Sequence, residues 1–372
     1  MLAALCLASL GLVGAAPPRL AVVAWEPAGP VPLAGGAGAA AATSIPVEPG
    51  EQYPPTRREE AQSPAVAPPR PEAPRRRPPD LRLTVDASVT ADSNVTNGTS
   101  LHSVPIDLGD GPLPVPVDPN LRERSGIGYG LSAAANVRLP IADSAALALD
   151  VEGYAVEYDG RRSDDASALV AAGLEFGSGA VPEGSLQLIG FDRWYGGVET
   201  QRGLGARGHW RFPLDRQSNV RLAVDARIFD SAYGERFEGS EASLYVTYDT
   251  VLAPSLSASA GLYGRRQWLG DDSFSSLDVG AYAGLSFYLG EDFAGGITGG
   301  LSRTAFDEPF LLLAPDIRSD WRAYGSAWLT TRRPLLWGVH PSLTYTYNRT
   351  SSSIAYYESQ RHRLRLGLKR RF

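Results

Sequence analysis

Four histidines, one cysteine and scattered serines are the side chains of this chain that could do nucleophilic, acid–base or metal chemistry. His102, His209, His340 and His362 stand far apart, and none has a second ligand at metal-binding spacing. A serine hydrolase needs a Ser–His pair oriented by a third group, and no short motif assembles one. Cys6 is the only cysteine, so neither a disulfide nor thiol chemistry is expected. Gly126-x-Gly128 and Gly203-x-Gly205 read as strand glycines, because no helix follows to make a phosphate cradle. No enzyme activity, cofactor or metal is expected.

The charged residues carry more information, because they recur at every second position opposite apolar residues. Val220, Leu222, Val224, Ala226 and Ile228 share one face of a segment, and Arg221, Asp225 and Arg227 share the other. Leu147, Leu149, Val151 and Ala155 similarly oppose Asp150, Glu152 and Tyr154, while Leu277, Val279 and Ala281 oppose Asp278. His209 falls with Arg207 and Arg211, and Asp249, Arg265 and Arg322 occupy matching positions. Strands with one face in lipid and one around an aqueous lumen alternate in this way. Luminal charges of both signs either line a selective pore or pair across strands and hold a folded-in loop. Pairing is the expectation here, with the Pro- and Asp-rich stretch 94–124 folded into the mouth as a gate.

The last eleven residues show the pattern most sharply. Leu364, Leu366, Leu368 and the terminal Phe372 lie on one side, against Arg363, Arg365, Gly367, Lys369 and Arg371 on the other. Such an ending resembles the signal strand that outer-membrane barrels present to their assembly machinery. Arg370 takes a lipid-side place, which near the interface costs about 0–1 kcal/mol.

From Leu81 onward the chain divides into about fourteen segments of strand length, separated by turn signals. They cover 81–93, 125–138, 144–158, 165–177, 184–196, 200–213 and 219–230. The rest are 240–251, 255–268, 275–288, 293–304, 318–331, 339–350 and 356–372. Adjacent Leu188 and Ile189, with Asp192 after Phe191, suggest a bulge in the fifth segment. A periplasmic start places the long links, 94–124 and 305–317, outside and the short ones inside. Trp194, Tyr195, Trp210, Phe212, Trp268, Trp321, Trp328, Tyr356 and Tyr357 gather near segment ends, as an interfacial girdle requires. The fold expected is all-β, a transmembrane antiparallel barrel over 81–372.

Composition bounds the rest. With 372 residues and a net charge of −6, the chain is no phosphate-reading nucleic-acid binder. No apolar run after the start approaches the ~20 residues of a spanning helix. Residues 1–16 read as an apolar signal peptide lacking its basic n-region. Residues 17–80, rich in Pro and Ala, cannot bury enough apolar surface to offset ordering, and read as a disordered periplasmic arm. Arg75, Arg76 and Arg77 end that arm and read as a solvated charge run.

Asp92, Ser93, Asn94 and Asn97 resemble the first-strand and first-loop motif of the surface lipoprotein assembly modifier family. Arg332-Arg333-Pro334, the stretch from Pro341 to Tyr347, Ser351 to Ile354 and the Phe372 strand resemble that family's last hairpin. The resemblance covers about 81–372. It implies a fourteen-stranded outer-membrane barrel that helps to move a lipoprotein, or a secreted protein, to the cell surface. The partners implied are that cargo, outer-membrane lipid and the barrel assembly machinery. The family usually carries periplasmic helical repeats before its barrel, and the arm shows no such period. The competing expectations are a passive diffusion pore for small solutes and a surface anchor binding through its outer loops.

Overall fold

The computed structural model describes residues 79–107, 111–159, 163–177, 183–310 and 316–372. The expected signal peptide and all but the last two residues of the expected arm lie outside them. Asp80 already belongs to the first strand, β1 (Asp80–Asp92). A separate small hairpin follows, β2 (Ser103–Asp107) and β3 (Pro112–Pro116). The wall continues with β4 (Gly126–Ala142), β5 (Ala145–Tyr158), β6 (Asp165–Phe176) and β7 (Glu183–Tyr195). Next come β8 (Val198–Pro213), β9 (Ser218–Ser231), β10 (Gly239–Ala253), β11 (Leu256–Leu269) and β12 (Ser276–Leu289). The last four are β13 (Phe293–Phe306), β14 (Ser319–Thr331), β15 (Val339–Ser352) and β16 (Ser359–Arg371).

Fourteen of these strands form a closed antiparallel barrel, with β1 between β4 and β16. Every expected segment coincides with one of them, the largest shift being at β4, whose expected end at 138 moves to Ala142. Among the described residues no helix is long and apolar enough to cross a membrane, so strands must do it. The barrel is inverted relative to a soluble domain. Leu188 and Leu262 on the outside are 73% and 65% exposed, while Gln187, Asp278 and Ser302 on the inside are buried. Apolar residues outside and polar residues inside make the wall compatible with lipid.

One rim carries the links 93–125, 159–164, 196–197, 232–238, 270–275, 307–318 and 353–358. We call it the loop rim, and the rim holding Asp80 and Phe372 the terminus rim. At the loop rim Phe229, Phe237, Leu269 and Phe274 form a buried apolar cluster, with Phe191, Tyr233 and Phe310 against it. Ring centroids 4.8 Å apart join Phe237 to Phe274, and 5.3 Å separates Phe274 from Phe310.

Three sequence expectations need correction. The register passes unbroken through Leu188 and Ile189 and shifts instead at Arg193/Trp194, where β8 inserts Thr200. Ile189 turns into the barrel, and Asp192 faces outward against Arg202 at 2.8 Å, so normal alternation accounts for both. Second, the aromatic belt is smaller than expected. Trp210, Phe212, Trp268 and Trp321 face outward, but Trp328 shares the inner face with Tyr324, and Tyr195 shares that of Arg193. Tyr356 is buried in the 353–358 link, where desolvation pushes its phenol up to about 12. Third, 94–124 contains the hairpin β2–β3. Its prolines are tolerated because both strands are edge strands and Pro105, Pro112, Pro114 and Pro116 all fall on register pairs of one parity, where the N–H is not needed for the ladder.

Candidate functional site at the barrel seam

Thirteen of the fourteen contacts around the wall join strands that are also consecutive in it along the chain. The contact of β1 with β16 joins its two ends. Its register runs from Thr84↔Arg371 to Asp92↔Arg363, nine pairs. By comparison β4 and β5 share fourteen. Main-chain bonds carry it one step further at each end. Phe372 and Leu83 exchange bonds of 2.9 and 3.4 Å, and Ser93 N–H donates to the His362 carbonyl at 2.9 Å. Beyond Leu83 the first residues of β1 pair only with β4, as Asp80↔Arg138 and Leu81↔Val137.

Alternation along β16 decides what each face offers. Leu364, Leu366 and Leu368 point outward and are exposed, as is Phe372. Gly367 points inward and is buried. A Cβ there would stand 2.7 Å from Ser342 Oγ and 3.2 Å from Asp86 Oδ1, so the carboxylate occupies the space of the missing side chain. Asp86 in turn accepts a bond from Arg365 Nη2 at 2.9 Å. Asp92 accepts from Arg361 Nη2 at 2.5 Å and from the Tyr158 hydroxyl at 3.0 Å. Two inward ion pairs therefore fasten β1 to β16, each with its carboxylate almost fully buried. Breaking a buried pair on one side strands a charge, at a cost of about 3–5 kcal/mol.

The motif at the end of β1 closes the seam at the loop rim. Asn94 is wholly buried. Its Nδ2 donates to the carbonyls of Gly98 at 2.9 Å and of Gln360 at 3.1 Å, and its Oδ1 accepts from the Gly98 N–H at 3.1 Å. Asn94 N–H donates to Asp92 Oδ1, and Ser93 Oγ accepts the His362 N–H at 2.9 Å. Asn97 takes a left-handed conformation, φ 50°, which asparagine tolerates and most residues do not. All four motif residues thus build one turn that grips the start of β16.

Most of the remaining charges of the inner face have a partner of opposite sign. Asp150 collects Arg138, Arg207, Asn136 and Gln187, the two arginines at 2.8 and 3.2 Å. Arg221 grips Asp249 with both arms, at 2.6 and 2.9 Å. Arg227 pairs with Asp225 on its own strand at 2.5 Å, Arg265 reaches Asp278 at 3.6 Å and Arg211 reaches Glu183 at 3.6 Å. Glu152 lies on the same face of β5 as Asp150, and Arg322 on the same face of β14 as Asp320. Sequence reasoning missed the seam pairs Arg365–Asp86 and Arg361–Asp92. Parity puts Asp86 on the face of Asp92, and Arg361 and Arg365 on the charged face of β16, but only the closing register of β1 with β16 brings them together.

The histidines stay apart. His340 contacts the Thr331 carbonyl at 3.0 Å, and His362 points outward, its ring bonded to Tyr345 and Gln360. Among the described residues no three His, Cys, Asp or Glu side chains gather as a metal site.

The profile of the surface lipoprotein assembly modifier family matches residues 82–372, the whole barrel. No protein of curated function matches. Solved structures of similar fold include the outer membrane channel DcaP of Acinetobacter baumannii, with 9% identity and a TM-score of 0.44, over 79% of this chain and 97% of that one. A bacterial polysaccharide outer membrane secretin aligns over 78% of this chain and 98% of its own, with 10% identity and a TM-score of 0.42.

Proposed function

The chain belongs to the surface lipoprotein assembly modifier family, as a barrel of the outer membrane, and we propose that it carries a partner lipoprotein or secreted protein across that membrane through the β1–β16 seam. The observation that carries this reading is the short ladder between the two strands, nine register pairs between the ends of the wall. It is the one joint that can part without stretching a covalent hairpin. Its two ion pairs face the lumen, so charges separated on opening would meet water rather than lipid, although both carboxylates are almost fully buried while the seam is closed. The outer faces of β1 and β16 carry Val85, Ala87, Val89, Leu366 and Leu368, which remain at home in lipid when the strands separate. The arm over 17–80 would hold cargo on the periplasmic side. Leu364, Leu366, Gly367, Leu368 and Phe372 would serve as the strand read by the barrel assembly machinery.

Locking the seam tests the reading. Val85 and Arg370 are register partners. In a Cys6→Ser background, the Val85→Cys/Arg370→Cys protein is oxidised in cells that express a lipoprotein encoded beside this gene. Protease shaving of intact cells should then find the lipoprotein protected, and cleavable again after reduction. Unchanged cleavage with a quantitatively closed seam would sink the lateral route. Steady conductance in planar bilayers, with no effect on any lipoprotein, would replace the export reading with a diffusion pore.

A further inference from the structure

The outer face of the barrel has two chemically different halves. On β11 the outward positions run Leu256, Ala258, Ala260, Leu262, Gly264, and the sixth is Arg266. On β13 the sixth outward position is Arg303, after Phe293 and four apolar or glycine positions; on β15 it is Arg349, after Val339. Ten residues of strand at about 3.3 Å, tilted by roughly 40°, rise about 25 Å, which is the height of the apolar band. Three alternate strands therefore set an arginine at the top edge of the band on the loop-rim side. At the corresponding height β5, β7 and β9 carry Glu157, Asp192 and Asp230 instead.

Among the described residues two of the three arginines are free of carboxylate partners, and the third, Arg266, is paired with Asp307. Arg303 is exposed; it donates to Ser319 Oγ at 3.3 Å and stacks over the outward Trp321 at 5.9 Å. Trp321 is Arg303's register partner, and Ala323 on the same strand is Arg349's. The strand of Trp321 thus stands between the two arginines, whose Cα positions two strand spacings and a two-residue offset put roughly 12 Å apart. Among the described residues neither Arg303 nor Arg349 has a carboxylate in ion-pair range. Arg266 is braced by Asp307 and stacks on Trp268 at 5.5 Å. Tryptophan at this depth marks the headgroup layer.

We propose that Arg303 and Arg349, with Trp321 between them, bind the phosphates of an anionic glycolipid in the outer leaflet. A soluble anion is the wrong occupant, because the cations stand directly above a lipid-facing wall. A phosphorylated disaccharide headgroup offers an anion at each end for the two arginines and a sugar face for the indole. The proposal rests on the membrane placement with the loop rim outward and not on any cargo.

Native mass spectrometry of the detergent-purified full chain tests it, with a bisphosphorylated lipid A as probe and its dephosphorylated form beside it. Wild type should retain the phosphorylated lipid, and Arg303→Gln/Arg349→Gln should weaken binding by roughly 25-fold, at about fivefold per arginine. The dephosphorylated lipid should bind both proteins equally weakly. Arg202→Gln, an outward arginine on the acidic half, should leave binding unchanged. Heat-modifiable gel mobility verifies that each variant is folded, and the single variants serve if the double one is not. Equal retention of the two lipids, an undiminished affinity in the variants, an equal loss in Arg202→Gln, or displacement by millimolar inorganic phosphate would each overturn the proposal.

Discussion

Asn94 is the residue on which the loop-rim end of the seam depends, because one amide serves two carbonyls and an N–H on both sides of the joint. Alanine there would leave several buried backbone groups unpaired. Asn94→Ala should lower the unfolding free energy of the liposome-folded barrel by about 2–4 kcal/mol, read from a guanidinium titration. A change within about 0.5 kcal/mol would reduce the motif to an ordinary surface turn. Residue-level pairing was only half legible beforehand. Alternation shows that Arg221 and Asp249 belong to one face, yet not that they meet, because cross-strand register depends on hairpin length and shear. Arg227 makes the point: its carboxylate is Asp225, two residues away, and not a partner across the ladder.

At the scale of elements the sequence is a good guide wherever lipid imposes period two. Fourteen strands are readable because Leu, Val and Phe facing lipid alternate with Asp, Arg and Ser around the lumen. The signal fails in β2 and β3, which form a separate two-stranded sheet outside the wall and carry four prolines, Pro105, Pro112, Pro114 and Pro116. It also fails for the outward arginines, which look like breaks in the apolar pattern until strands are set side by side. For β16 the proposal of an assembly signal makes a direct prediction. Deleting Phe372 removes the aromatic end and both main-chain bonds to Leu83. Folded, heat-modifiable protein in the outer membrane should fall severalfold, and near-normal amounts would show that the rest of the strand suffices.

For the whole molecule, the inner surface carries many charges but few loose ones, since most arginines there have a carboxylate within reach. Such a wall keeps its field short-ranged, and an extended polypeptide of either sign could pass without being captured electrostatically. The apolar cluster of Phe237 and Phe274 with Phe229 and Leu269 lies at the loop rim, at one end of that wall.

The seam is fastened unevenly. Asp92, Ser93 and Asn94 concentrate side-chain bonds at the loop rim, while at the terminus rim Phe372 meets Leu83 through main chain alone and Asp80–Arg82 overhang. A joint clamped at the loop rim and held toward the other end by one ion pair, Asp86–Arg365, parts as a wedge with its apex at the clamp. The gap would widen toward the terminus rim, so an acyl chain could slip in from that side long before the loop-rim end released. Hydrogen exchange should report this as amides of 83–86 and 369–372 exchanging ahead of those at 92–94 and 360–363, and a simultaneous loss at both ends would mean that the strands separate like a door rather than a wedge.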